Sequence, residues 1–122
     1  MEQNNIRKGN MNAIDQIKKC RISYNGIQVV LIKYISMRER MNSPVVSISE
    51  IISFNPTKFK RKDTILRTLE VMVKNNFVKK QNGGYVITNI GRQVPFVVAN
   101  LYIQSLSNQG KRAHFALKEI ED

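Results

Sequence analysis

The sequence predicts an α+β fold that is mainly helical, with extra helices before and after a central unit. Three observations carry that expectation. Most of the chain repeats apolar residues at three- and four-residue intervals, the spacing of amphipathic helices. One stretch, Phe77 to Thr88, instead shows two short β-prone runs around Asn82-Gly83-Gly84, the pattern of a hairpin. The length of 122 residues and the 42% hydrophobic content suit one domain with one modest core.

In chain order, Met1 to Asn10 is polar with Ile6 as its one apolar anchor, and reads as a frayed or extended tail. Arg7 and Lys8 there are either solvated or an arm that touches nucleic acid. Asn12 to Arg21 offers Ile14, Ile17 and Cys20 at helical spacing, and a short helix ends before Ser23-Tyr24-Asn25-Gly26. Ile27, Val30, Leu31, Tyr34 and Ile35 form a strong helical stripe. Val29 and Ile32 extend it onto a second flank, which calls for another helix against it. Asn42-Ser43-Pro44 breaks this helix after Arg38 to Met41.

Val45 to Ile48 is short and β-branched, a small strand. Ser47 or Ser49 can cap the next helix, Ser49 to Phe54, with Ile51 and Ile52 inward and Asn55-Pro56 as its stop. The next helix spans Asp63 to Asn76. Ile65, Leu69, Met72 and Val73 face a core, and Thr64, Arg67, Thr68 and Lys74 fall on other faces. Asp63 suits its N-cap and the positive end of its dipole, and Asn76 tolerates a left-handed exit.

The hairpin follows at once, with Lys79 and Lys80 on it and a tip at Asn82, Gly83 and Gly84. Thr88 can cap a further helix. Val94 to Leu106 is apolar on more of its circumference than one small core covers, and Pro95 within it implies either a kink or a new helix starting there. Asn108-Gln109-Gly110 reads as a break before a last short helix, Lys111 to Asp122, with Phe115, Leu117 and Ile120.

The run Thr64-Ile65-x-Arg67-x-Leu69-x-x-Met72, then Asn76-Phe77-Val78, is similar to the recognition helix and first wing strand of winged helix-turn-helix transcription regulators of the archaeal and bacterial type. Tyr85-Val86-Ile87-Thr88-x-x-Gly91 resembles their second wing strand entering the next helix. The likeness covers about Ile27 to Gly91. Asn76 stands where the family usually has glycine, and Thr57 to Lys62 is longer than a minimal helix-turn-helix connection. The resemblance implies a winged helix over 26–91, an N-terminal tail and short helix over 1–25, and a C-terminal helical extension over 92–122.

Charge agrees with a nucleic-acid partner. The chain carries a net charge of +11 and a pI near 10.1, which favours an anionic partner. Lys58, Lys60, Arg61, Lys62, Arg67, Lys74, Lys79 and Lys80 cluster on the helix and hairpin, opposed only by Asp63 and Glu70. The expectation is therefore a double-stranded DNA-binding regulator. Its Asp63–Asn76 helix enters the major groove, and the wing lies on the backbone or minor groove. Arg67 can read guanine through its planar fork, with Thr64 and Thr68 assisting. Lys58, Lys60, Arg61, Lys62, Lys79 and Lys80 are expected on phosphates. For Arg67 the competing role is an intrahelical pair with Glu70. For the whole chain it is a winged-helix module that docks an acidic protein.

A two-fold homodimer is expected largely through Val94 to Leu106, with or without Asn12 to Arg21 against it, with Phe96, Leu101 and Tyr102 in the interface and recognition helices about 34 Å apart. The alternative is a monomer in which that stretch covers Val29 and Ile32. One cysteine, Cys20, excludes an internal disulfide. No apolar run approaches the roughly 18 residues of a membrane span, and the polar start is no signal peptide. A cytoplasmic, nucleoid-associated protein follows. His114 and Cys20 lack a carboxylate constellation, and the acidic residues are scattered, so neither an enzyme nor a metal or other cofactor is expected.

Overall fold

The computed structural model of the chain is described over residues 12–54 and 61–121, with side chains through residue 109. The expectations for the Met1–Asn10 tail, Lys58, Lys60 and the Asn55-Pro56 stop lie outside these residues, as do the side chains of His114 and the last twelve helical positions. Among the described residues five helices surround a three-stranded antiparallel sheet, an α+β arrangement as the sequence predicts.

Helix α1 (Ala13–Cys20) is capped by the Asn12 side chain, which accepts from the Asp15 amide at 2.8 Å, and stops at Arg21, whose φ is 52°. It anchors through Ile17, which is buried, whereas Ile14 is exposed. Three- and four-residue spacing found this helix but could not tell which of the two isoleucines faces inward.

Helix α2 (Ile27–Arg40) runs through the middle. Val29, Leu31, Ile32, Tyr34 and Ile35 are all buried, so both flanks are covered as the sequence requires. The sheet and α4 (Lys62–Lys74) lie against it, and α5 (Asn89–Glu121) packs on both α1 and α2. Strand β1 (Val46–Ser47) leads into α3 (Ile48–Phe54). Of the two cap candidates Ser47 is the one used, its hydroxyl accepting from the Glu50 amide at 3.1 Å. Glu50 in turn accepts from the Tyr34 hydroxyl at 2.6 Å and pairs with Arg38, so α3 is tied to α2 by polar contacts, and its Ile51 is buried in the core.

Helices α2 and α4 end by the same device. At α4, Asn76 has φ 65°, its amide donates to Val73 O at 3.0 Å, and the Phe77 amide reaches back to Met72 O at 2.9 Å. At α2, Asn42 has φ 62°, and the Asn42 and Ser43 amides donate to Glu39 O and Arg38 O. This paired bonding satisfies carbonyls that a helix end otherwise leaves open, and it needs a residue that tolerates positive φ. Phe77 and Met72, brought together by the turn, are both fully buried.

Strands β2 (Val78–Gln81) and β3 (Gly84–Ile87) form the hairpin, and β3 is central in the order β1-β3-β2. Gln81 pairs with Gly84, so the tip is two residues long. Asn82 and Gly83 both have positive φ, 50° and 79°, which matches the twist that favours two-residue hairpins. The expected three-residue tip is thereby corrected. Gly84 belongs to β3, paired with Ser47, and a Cβ there would come within 2.7 Å of the Val46 carbonyl.

The C-terminal part departs most from expectation. Neither Pro95 nor Asn108-Gln109-Gly110 interrupts α5, which is one helix of 33 residues. Its start is fixed upstream of the proline. The Thr88 hydroxyl accepts from the Gly91 amide at 3.0 Å and lies within hydrogen-bond distance of the Asn76 and Phe77 carbonyls. Proline costs about 3 kcal/mol inside a helix. Burial of Val94, Val97 and Val98 around it offsets that cost. A glycine in a helix costs only about 1 kcal/mol relative to alanine, too little to stop one by itself.

Candidate nucleic-acid interface

Helix α4 has two different sides. Ile65, Leu69 and Met72 are at most 1% exposed and hold it to the core. On the adjoining flank Thr64, Arg67, Thr68 and Val71, spaced i, i+3, i+4 and i+7, line a shallow open depression of about 190 Å³. The sequence reading named three of these and missed Val71, which is 42% exposed. The same spacing identifies it once Thr64 and Thr68 are taken as one face. Its methyl groups suit a thymine methyl as threonine's does.

The helix begins at Lys62, with Arg61 in the cap position and no side-chain cap bond. Asp63 is therefore not the N-cap. It lies in the first turn, where its carboxylate accepts from the Thr64 amide at 3.0 Å and sits 3.4 Å from Arg61 and 3.8 Å from Arg67. The helix dipole favours a carboxylate there as well as at the cap, so the sequence signal fits both positions. The intrahelical partner of Arg67 is accordingly Asp63 and not Glu70, the residue named for its competing role. With side chains 74% and 55% exposed, that pair is a weak, solvent-screened contact that leaves the guanidinium able to turn outward.

Thr68 donates its hydroxyl proton to Thr64 O at 2.8 Å. What it presents outward is its methyl group and an acceptor oxygen, so a donor role toward a base would first break this bond. Arg61, Lys62 and Lys74 are exposed at the two ends of this helix.

The hairpin presents Lys79 and Lys80 to solvent. Successive strand residues point to opposite sheet faces. Lys79 accordingly lies in a hollow with Asn76, Thr88 and Arg92, and Lys80 in another with Ile48, Asn82 and Tyr85. The two lysines therefore cannot follow one phosphate strand side by side, a point that their adjacency in sequence concealed.

Two ionisable clusters lie away from this flank. Arg92 donates to Glu39 at 2.8 and 2.6 Å, which holds the Glu39 carboxyl below its usual range and raises Arg92. Burial, and then the charge of Glu70, push the Tyr85 phenol up. Neither arrangement pairs a base with a nucleophile. Among the described residues no group of three or more His, Cys, Asp or Glu side chains could hold a metal ion, and no helix is long and apolar enough to cross a membrane.

Of the expected interface residues, Phe96 is 72% exposed. Leu101 is half-buried and packs on the core, and Tyr102 stacks on Tyr24 with ring centroids 4.2 Å apart. Ile103 and Leu106, in the same expected segment, are 60% and 48% exposed. Comparison of the chain with protein-family models, curated proteins and solved structures finds no match.

Proposed function

We propose that this chain is a DNA-binding transcription regulator of winged-helix type. In this reading α4 enters the major groove and the β2–β3 hairpin is the wing. The observation that carries it is the Thr64-Arg67-Thr68-Val71 flank, with Arg67 and Val71 exposed and the threonines half-buried, on a helix whose other side is locked into the core and whose two ends carry the exposed cations Arg61, Lys62 and Lys74. A rigid helix that offers one planar guanidinium among small methyl and hydroxyl groups matches the chemistry of base edges. The cations at the helix ends supply sequence-independent phosphate affinity.

Lys79 and Lys80, on opposite hairpin faces, divide between different contacts, so one of them at most tracks the strand that α4 engages. The active form is a two-fold homodimer joined through α5, on which Phe96, Ile103 and Leu106 are large apolar side chains left exposed. A filter-binding titration of a labelled duplex, with random-sequence DNA and an acidic polypeptide as competitors, tests this. Competition by DNA, and weaker competition by the polypeptide at equal charge, is the expected outcome. Capture of the polypeptide alone would make the chain a docking module for acidic proteins.

A further inference from the structure

Helix α5 is about 50 Å long at 1.5 Å per residue, and its first turns lie against the body. Val94, Val97, Val98 and Leu101 face the core, whereas every described position from Tyr102 to Gln109 is exposed. A helix standing clear of its domain is marginal in water without a partner. On the side away from the core, Phe96, Ala99, Ile103 and Leu106 alternate four- and three-residue steps, and in the sequence the same steps continue through Gly110, Ala113, Leu117 and Ile120. That spacing matches the seam of a two-stranded coiled coil.

We infer that the occupant of this seam is the α5 helix of a second copy of the chain, running antiparallel and centred near Asn108. This rests on the homodimer proposed above and specifies its geometry. In the antiparallel register Phe96 stands opposite Ile120, Ala99 opposite Leu117, Ile103 opposite Ala113, and Leu106 opposite Gly110. Outside the Phe96 layer each small residue meets a large one, and layer volumes stay nearly even. A parallel pair would set Ala99, Gly110 and Ala113 against themselves, leaving voids that close-packed interfaces do not hold.

Charge selects the same arrangement. Beside Phe96 lies a groove of about 620 Å³ bordered by Lys33, Arg40, Arg92 and Ala99. Its one acid, Glu39, is already engaged by Arg92. The sequence positions around Ile120 carry Glu119 and Glu121. Antiparallel pairing brings the partner's acidic segment to this basic groove at both ends of the dimer. Parallel pairing would bring groove to groove and acid to acid, a like-charge cost.

Disulfide trapping decides the matter, because only near neighbours can be bridged. In a Cys20→Ala background, Ala99→Cys and Leu117→Cys are made singly and together, and exposed to a glutathione redox buffer. The doubly substituted chain is expected to form a covalent dimer, and each single variant to remain uncrosslinked. Ile103→Cys with Ala113→Cys serves as a second set should the first perturb folding. Cross-linking of Ala99→Cys with itself would overturn the antiparallel order, as would no cross-linking in either set from a parent that is dimeric by light scattering. A monomeric parent would remove the dimer itself. The DNA titration is read separately, so failure of the dimer and failure of DNA binding remain distinct.

Discussion

In the proposed DNA-binding reading, Arg67 is the residue on which sequence selectivity turns. Replacing it with alanine removes the only guanidinium in the Thr64-Arg67-Thr68-Val71 depression, and the screened contact to Asp63 lost with it is worth little. Arg67→Ala is predicted to cost about 1 to 3 kcal/mol on a preferred duplex and far less on a scrambled one, whereas Lys79→Ala should weaken both alike. Footprinting on matched and scrambled sites measures the difference, and equal losses would place Arg67 among phosphate contacts. Gly91 is equally specific, for packing. A Cβ at that position would stand 2.0 Å from the Phe77 carbonyl, a backbone atom held by the Thr88 cap, so nothing nearby can yield cheaply. Gly91→Ala should destabilise by about 1 to 3 kcal/mol in a urea melt. Gly91 was read from the sequence only as part of a resemblance, because a close approach between residues fourteen positions apart leaves no mark on local pattern.

At the scale of elements, what was legible followed from local rules. Apolar spacing gave α1, α2 and α4, asparagine and glycine gave the hairpin tip, and Asn76 gave the helix exit. For that exit, Asn76→Gly should be near neutral, and Asn76→Ala should cost about 1 to 2 kcal/mol, since alanine pays the left-handed strain without asparagine's local compensation. Thermal denaturation of both variants checks the order. Illegible were the features that tertiary contacts decide. Pro95 and Gly110 each argue for a break when read locally, yet the α5 start is set by Thr88 and its early course by burial on α1 and α2. Likewise the strand pleat that separates Lys79 from Lys80 requires knowing where β2 begins, and the assignment of Gly84 to β3 requires knowing that β1 lies across from it.

For the whole molecule, the two proposals concern different ends of the fold, with α4 and the hairpin meeting DNA and the outer seam of α5 meeting a second chain. Ile103→Glu is the substitution that separates them. Unlike Leu101, which packs on the core, Ile103 is exposed, so the change should leave the monomer folded and shift the dimer toward monomer at micromolar concentration in light scattering. Far-ultraviolet dichroism and a urea melt verify that the fold is retained. A dimeric mass for that variant would place the interface elsewhere. The claim that the α4 flank and its cations bind duplex DNA is tested most directly by one titration carried through a salt series. If about four phosphates are neutralised per monomer, the logarithm of the binding constant should fall against the logarithm of salt with a slope of roughly −3.6 per monomer. Absence of binding to any duplex at low salt would contradict the account.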